Sequence, residues 1–324
     1  MNQPAAQRSA WTLRPESRIL VASNRPRLAS TFVEHLRREI PSVPVLLMTA
    51  PSATELEAAL TQELADTSTP VAALVVLGGD GMVHIGANVL AGTEVPAPVP
   101  LGIVPVGSGN DFVRSLGTRQ SRRQRRDMAA AAAKLANSLR TGSLREVDAM
   151  QVSGAWGSRI VMGIVSVGVD AIVNQRANAL RFPPGQAKYV VGLAREFRSL
   201  KPRTYRIEAT DAAGSVTQWS TTAWLASVAN GQYLGGGMRI IPDALLDDGL
   251  LDLGIIRPLN LREFATLFPR IFSGRHASHD AMTNQRVTQV PLETADMTAF
   301  GDGEALGPAP VSVTVIPRAI SLLV

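Results

Sequence analysis

The sequence predicts a layered α/β domain with a mainly parallel sheet over residues 1–143, followed over 144–309 by antiparallel strands forming a β-sandwich. Three observations carry this. Short apolar runs alternate with segments of helical period in the first part. From about Leu144 strands follow one another through short turns. Two of the early strands run directly into glycine-rich turns.

In order, Arg18 to Ser23 reads as a first strand, with Asn24-Arg25-Pro26 as its turn. Phe32, Val33, Leu36 and Ile40 then recur at helical spacing. Val43 to Thr49 is a second strand, and Leu56, Leu60 and Leu64 mark a second helix. Val71 to Leu77 is a near-continuous apolar run of strand length, expected of a strand buried on both faces. It enters Gly78-Gly79-Asp80-Gly81, and a helix-compatible segment, Val83 to Leu90, follows. Leu101 to Val106 is a fourth strand, leading to Gly107-Ser108-Gly109-Asn110-Asp111. Ligands of open α/β sheets collect at the carboxyl ends of strands, where both glycine turns fall. Glycines there let a phosphate approach main-chain amides, although either turn alone also reads as a plain strand-to-helix connection.

Arg119 to Arg126 is a basic run ahead of an alanine-rich helix, Asp127 to Arg140. It reads as a solvated helix entrance or as an attractor for anionic lipid headgroups. Beyond Leu144, hairpins are expected at Leu144–Val152 with Arg159–Val167, and at Thr204–Thr210 with Val216–Ala229. Further strands fall at Leu250–Ile256, Arg286–Val290, Met297–Phe300 and Val311–Ile316. Helices fall at Ala171–Leu180, Ala187–Leu200 and Leu261–Phe272, and Gln186–Leu200 is amphipathic and basic.

Composition narrows the function classes. The chain of 324 residues has no cysteine, which excludes disulfides and thiolate metal sites. A formal charge of +5 suits an anionic partner. Aromatics at 5%, with no aromatic-basic interleaving, make nucleic acid the weakest choice and favour a nucleotide or an anionic membrane surface. With no apolar run of spanning length and no signal-peptide pattern, the expected location is cytoplasmic, with peripheral contact at the inner membrane face. Nothing in the sequence sets an oligomeric state. His276 and His279 are read as surface histidines rather than as a zinc site.

The order of motifs resembles the diacylglycerol kinase catalytic-domain family, which includes bacterial lipid kinases and the sphingosine and ceramide kinases. The resemblance rests on Gly78-Gly79-Asp80-Gly81, on Pro100 to Phe112, on Asn230-Gly231 with Gly235-Gly236-Gly237 and Ala244 to Asp252, and on Asp302-Gly303-Glu304. Gly168-Val169-Asp170-Ala171 adds a weaker match. It implies that residues from about 310 to 324 rejoin the first domain. It also implies ATP and Mg²⁺ as cofactors and a lipid as acceptor. Gly78, Gly79, Asp80, Gly81, Met82, Val83 and His84 would hold the nucleotide, with Asp80 at the metal. Gly107, Ser108, Asn110 and Asp111 would form the second nucleotide loop, and Thr49 falls where the family has an ATP-contacting threonine. Asn24 stands where the family has a first-strand loop, but without its usual glycine.

Asp302 is then the candidate general base, supported by Glu304; read locally, Asp-Gly is a hairpin turn. Asp248 with the main-chain carbonyls of Leu245 and Leu250 resembles a second Mg²⁺ site; read locally, Asp-Asp-Gly is a turn. Met82 replaces the family's threonine and His84 its asparagine, and a methionine side chain donates no hydrogen bond to a phosphate. The function implied is ATP-dependent phosphorylation of a diacylglycerol-like or sphingoid lipid. The alternatives are NAD kinase-like phosphorylation of a soluble substrate and a nucleotide- or lipid-binding homologue with weakened turnover.

Overall fold

The computed structural model describes residues 11–92, 99–118, 120–121, 123–168 and 201–324. Strands β1 (Arg18–Ser23), β2 (Val45–Met48), β3 (Val71–Gly78) and β4 (Leu101–Pro105) form a parallel sheet in the order β2-β1-β3-β4. Helices α1 (Pro26–Glu39), α2 (Ala53–Ala65), α3 (Asp80–Gly92), α4 (Asp111–Ser115) and α5 (Met128–Thr141) accompany them. Alternation along the strands decides which helix each residue meets. Ile19, Val21, Val75 and Leu77 pack with Phe32, Leu36, Leu135 and Leu139, which lie on α1 and α5. Leu20, Ala22, Leu74 and Val76 face the other way, towards Leu56, Leu60, Val83 and Val89 of α2 and α3. Both faces of β3 are therefore covered, which is why its sequence lacks a polar residue. β2 is shorter than expected because Pro44 has no N–H for the ladder, and Thr49 falls beyond the strand.

The remaining strands are β5 (Leu144–Gly154), β6 (Gly157–Val161), β7 (Ile164–Gly168), β8 (Arg203–Thr210), β9 (Val216–Ala223), β10 (Leu225–Ala229), β11 (Leu251–Ile256), β12 (Met282–Val287), β13 (Gln289–Glu293), β14 (Thr298–Gly301), β15 (Glu304–Pro308) and β16 (Val311–Leu323). Helix α6 (Leu261–Ile271) opens with a capping box between Asn260 and Glu263. One sheet runs β12-β11-β10-β7-β14-β15 and is antiparallel. Its inner face meets that of β5, β8, β13 and β16 through Val165, Val228, Leu253, Tyr205, Val290 and Val313.

The chain end does return to the first domain. β16 pairs antiparallel with β5 along most of its length, and Leu322 pairs in parallel with Leu101 of β4. One sheet thus passes through both halves of the molecule.

Three runs expected as single strands are sheet-to-sheet corners instead. Arg159–Val167 divides into β6 and β7, which lie in different sheets. Val216–Ala229 divides at Trp224, whose N–H turns to Ile256 O at 2.9 Å. Arg286–Val290 divides at Thr288, whose N–H bonds Thr210 O at 2.7 Å. Apolar periodicity continues through such corners because both inner faces bury the same residue types. The helices expected at 171–180 and 187–200, and the amphipathic stretch containing the latter, lie outside the described residues, as does most of Gly168–Ala171.

Candidate active site

The two glycine loops are laced together at the carboxyl edge of the sheet. Gly78 O accepts the N–H groups of Val106 at 2.9 Å and Gly107 at 3.1 Å. A Cβ on Gly107 would lie 2.5 Å from Gly79 Cα, so only glycine permits this approach. Asp80 begins α3, and its Oδ1 accepts the N–H of Phe112 at 3.1 Å. Asp111 Oδ2 in turn accepts the N–H of Gly236 at 2.6 Å, drawing Gly235-Gly236-Gly237 of the second domain onto the same edge. Those three glycines have φ values of 66°, 84° and 111°, a conformation closed to most side chains. A Cβ on Gly109 would lie 3.1 Å from Asp80 Oδ2 and 3.8 Å from Asp111 Oδ2, which places both carboxylates beside the second loop.

Asp302 stands at the corner between β6 and β7. Its Oδ2 accepts the N–H of Met162 at 3.0 Å, and its Oδ1 accepts those of Gly163 at 2.9 Å and Ile164 at 3.1 Å. Its backbone has φ 52°, a left-handed conformation that aspartate tolerates better than most residues. Asn230 braces the same corner, donating from Nδ2 to Asp148 O at 2.8 Å and Met162 O at 2.9 Å. Glu304 leans over the first turn of α3, with Oε1 3.2 Å from where a Gly81 Cβ would be. The expected base and the expected phosphate loop thus meet, although more than 200 residues separate Asp80 from Asp302 in the chain.

Charge is concentrated here. Burial, opposed by the Phe112 amide and reinforced by Asp302, pushes Asp80 up to about 6. Burial and the charge of Asp80 push Asp111 up to about 7. Burial also raises Asp302 against the pull of its three amide bonds, and Glu304 adds to the rise. Asp111 Oδ1 is buried without a hydrogen-bond partner, with Arg114 Nε 3.8 Å away. Asp80 and Asp111 are thus two carboxyls buried against each other, both raised by burial and Asp111 also by the charge of Asp80.

Met82 is 2% exposed and belongs to the apolar core beneath the loop. A Cβ on Gly78 would come within 2.7 Å of Met82 Cβ, so Gly78 accommodates this side chain from above. The Met82 N–H is bonded to Gly79 O at 3.0 Å, so it is not a free phosphate donor either. Val83 lies buried beside it. His84 is also buried, with Nδ1 unpartnered, and burial lowers its pKa. Ser108 is exposed at the tip of the second loop, and Asn110 is held left-handed, φ 54°, with Nδ2 donating to Gly107 O at 3.1 Å. Thr49 is exposed, one residue past β2 at the same edge. Asn24 has Oδ1 3.6 Å from a Gly78 Cβ position.

The Asp248 corner lies elsewhere. Asp248 Oδ2 is ion-paired with Arg286, and Oδ1 accepts the Leu250 N–H at 3.1 Å. Leu245 is exposed, and no group of three or more His, Asp or Glu among the described residues gathers to hold a metal. His276 corrects an expectation: it is fully buried, with Nε2 2.9 Å from Ile240 O, because it closes an apolar cavity rather than facing water. Arg125 and Arg114, which bond the second loop, carried no signal in the sequence beyond their charge.

Two family models cover the chain. The diacylglycerol kinase catalytic domain matches residues 23–152, and the YegS C-terminal NAD kinase beta sandwich-like domain matches residues 163–324. A diacylglycerol kinase of Mycobacterium tuberculosis is 32% identical over 252 residues, covering 78% of this chain and 76% of its own. The chain belongs to the diacylglycerol kinase family. A diacylglycerol kinase of Bacillus subtilis is 28% identical over 240 residues, 73% of this chain and 72% of its own. The crystal structure of a diacylglycerol kinase from Bacillus anthracis superposes with TM-score 0.65 at 20% identity, covering 95% of this chain and 96% of that one. Membership marks this chain as a kinase fold with ATP as the phosphate donor of its family.

Proposed function

We propose that this chain transfers the γ-phosphoryl group of ATP to the hydroxyl of a diacylglycerol-like or sphingoid lipid. The observation that carries a lipid acceptor is an apolar cavity in the second domain, walled by Trp224, Leu234, Met238, Phe264, Phe268 and His276. Leu234 and Met238 bond each other's backbones across a turn, and the tip of that turn is Gly236, whose N–H holds Asp111. A chain lodged in the cavity therefore lies one turn away from the carboxylates.

Asp80 and Asp111 are the residues that would hold Mg²⁺, since one or two carboxylates plus phosphate oxygens suit this ion. Bound there, Mg²⁺ supplies charge neutralisation for the transferring phosphoryl group. The loops do the positioning. Asp302 takes the acceptor hydroxyl's proton: Oδ2 receives a single amide bond, which leaves a lone pair free. The bonds to Met162, Gly163 and Ile164 fix the carboxylate's direction, and its raised pKa makes it a stronger base than an ordinary carboxylate. Met82 gives no reason to expect weakened turnover, because its side chain lies under the loop rather than on it. The exposed Arg123 and Arg126 suit peripheral contact with an anionic membrane. No helix among the described residues is long and apolar enough to cross one.

Labelled ATP and Mg²⁺ presented with vesicles carrying diacylglycerol, ceramide or sphingosine, and separately with NAD, test this reading. Label in a lipid is expected. Label in NAD alone would replace it with the soluble-substrate reading, and ATP binding without transfer would leave a binding protein.

A further inference from the structure

The arginine run expected at a helix entrance sends one member back to the nucleotide edge. Arg125, on a 3₁₀ turn spanning Gln124–Arg126, donates from Nη1 to Gly107 O at 2.9 Å. Arg114 of α4 donates from Nε to Gly109 O, also at 2.9 Å. The carbonyls on either side of Ser108 are thus each held by a cationic donor. A trans peptide sets its C=O and N–H antiparallel, so tying down Gly107 O and Gly109 O aims the N–H groups of Ser108 and Asn110 the opposite way. Among the described residues, neither of those two N–H groups has a protein acceptor. Amides two residues apart and freed in this manner form an anion-binding concavity.

We propose that Arg125, together with Arg114, is a positioning residue for the nucleotide: it clamps the second glycine loop from behind so that the Ser108 and Asn110 amides face a phosphate. The proposal rests on the kinase reading for the identity of that phosphate, but the clamp itself is a property of the protein without nucleotide. It divides the basic run into two functions. Arg125 is half-buried and spent on the loop, whereas the side chains of Arg123 and Arg126 are exposed and make no hydrogen bond to it among the described residues. A general electrostatic attraction would treat the three alike; a clamp singles out Arg125.

Arg125→Gln, Arg125→Lys, Arg123→Gln and Arg126→Gln separate these. Losing a charge-assisted hydrogen bond is worth roughly tenfold in an equilibrium, so Arg125→Gln is expected to raise the ATP KM and the calorimetric Kd for ATP by about tenfold. Its kcat at saturating ATP should change by no more than about threefold, since the reacting groups are untouched. Arg125→Lys should recover part of the affinity, and Arg123→Gln and Arg126→Gln should keep the parent's calorimetric Kd for ATP measured without vesicles. Hydrogen exchange without nucleotide gives a readout independent of activity. The Val106 and Gly107 amides, which bond Gly78 O, should exchange faster in Arg125→Gln than in Arg126→Gln. Unchanged exchange, or equal ATP affinity in all three glutamine variants, would overturn the clamp. A parent protein that binds no ATP would instead remove the kinase reading, with the exchange result still deciding the clamp.

Discussion

Asp111 is a position where function costs stability, and replacing its carboxylate should show it. The carboxyl is 13% exposed, and burial with the charge of Asp80 pushes it up to about 7 from a reference of 3.8. A displacement of about three pKa units is worth on the order of 4 kcal/mol. The sign follows from linkage. A carboxyl whose folded pKa is raised is protonated more readily in the folded state, so its stabilising contribution is complete below the unfolded pKa and lost as pH rises through the folded value. Above pH 7 the metal-free protein therefore carries the whole penalty.

Asp111→Asn abolishes that charge and keeps an oxygen for the Gly236 N–H. The new amide N–H₂ meets Asp80 favourably, and only a 3.8 Å ion pair with Arg114 is lost. Because the two carboxyls share their repulsion, the expected gain is about 2–4 kcal/mol at pH 8 in chelator without nucleotide, or at least several degrees in melting temperature. The gap between variant and parent should shrink steadily as pH falls towards about 4. Added Mg²⁺ with ATP should raise the parent's melting temperature and leave the variant behind, and kinase activity should be lost. Circular dichroism melts over a pH series read all of this. A variant no more stable than its parent at pH 8, or a gap independent of pH, would refute the assignment of buried, mutually repelling carboxylates.

Asp302→Asn should lower kcat by at least about a hundredfold with ATP affinity nearly intact, as expected for loss of a general base. Turnover within twofold of the parent would remove Asp302 as the base. In the parent, the acidic limb of kcat against pH should fall above the ordinary carboxylate range, since Asp302 must lose a proton whose pKa is raised. Met82→Thr should destabilise by about 1–3 kcal/mol through a cavity and a buried hydroxyl, and leave the ATP KM unimproved. An ATP KM lowered severalfold would show that the side chain does reach the phosphates. Mg²⁺ without nucleotide should leave the parent's melting temperature within about 1 °C at pH 6, where Asp111 is largely protonated, because Arg286 already neutralises Asp248. In Arg286→Ala the same addition should raise it, and an equal response in both would dissociate Arg286 from any cation site there.

What was legible in the sequence follows the range of each interaction. β3 and its glycine turn were readable because burial on both faces leaves only apolar residues, and the turn follows within the same local stretch. The break after Val161 was not, because it depends on a carboxylate about 140 residues further on that accepts the amides a continuing strand would have used. Locally, Met162-Gly163 is indistinguishable from strand. Arg125 is the same case in reverse: its sequence neighbours describe a charged surface run, and only the carbonyl of Gly107, 18 residues earlier, separates it from them. His276 was misread because a histidine beside Arg275 and Ser278 has polar neighbours in sequence but apolar ones in space.

The corner at Asp302 ties the second domain to the site through backbone. Its three amide bonds attach the candidate base to Met162, Gly163 and Ile164, at the point where the chain leaves the sheet shared with the first domain and enters the other. Gly231 N–H bonds Gly163 O at 2.9 Å, and Gln232 N–H bonds Ser115 Oγ of α4 at 3.0 Å, so the same segment also reaches the second nucleotide loop's helix. Asp302, the second glycine loop and the apolar cavity are therefore joined by a few residues of backbone. A change of cavity occupancy at Leu234 has a short route to Asp111 through Gly236. The turn that walls the cavity is the one whose tip bonds Asp111, and β16 carries one sheet through both halves of the molecule.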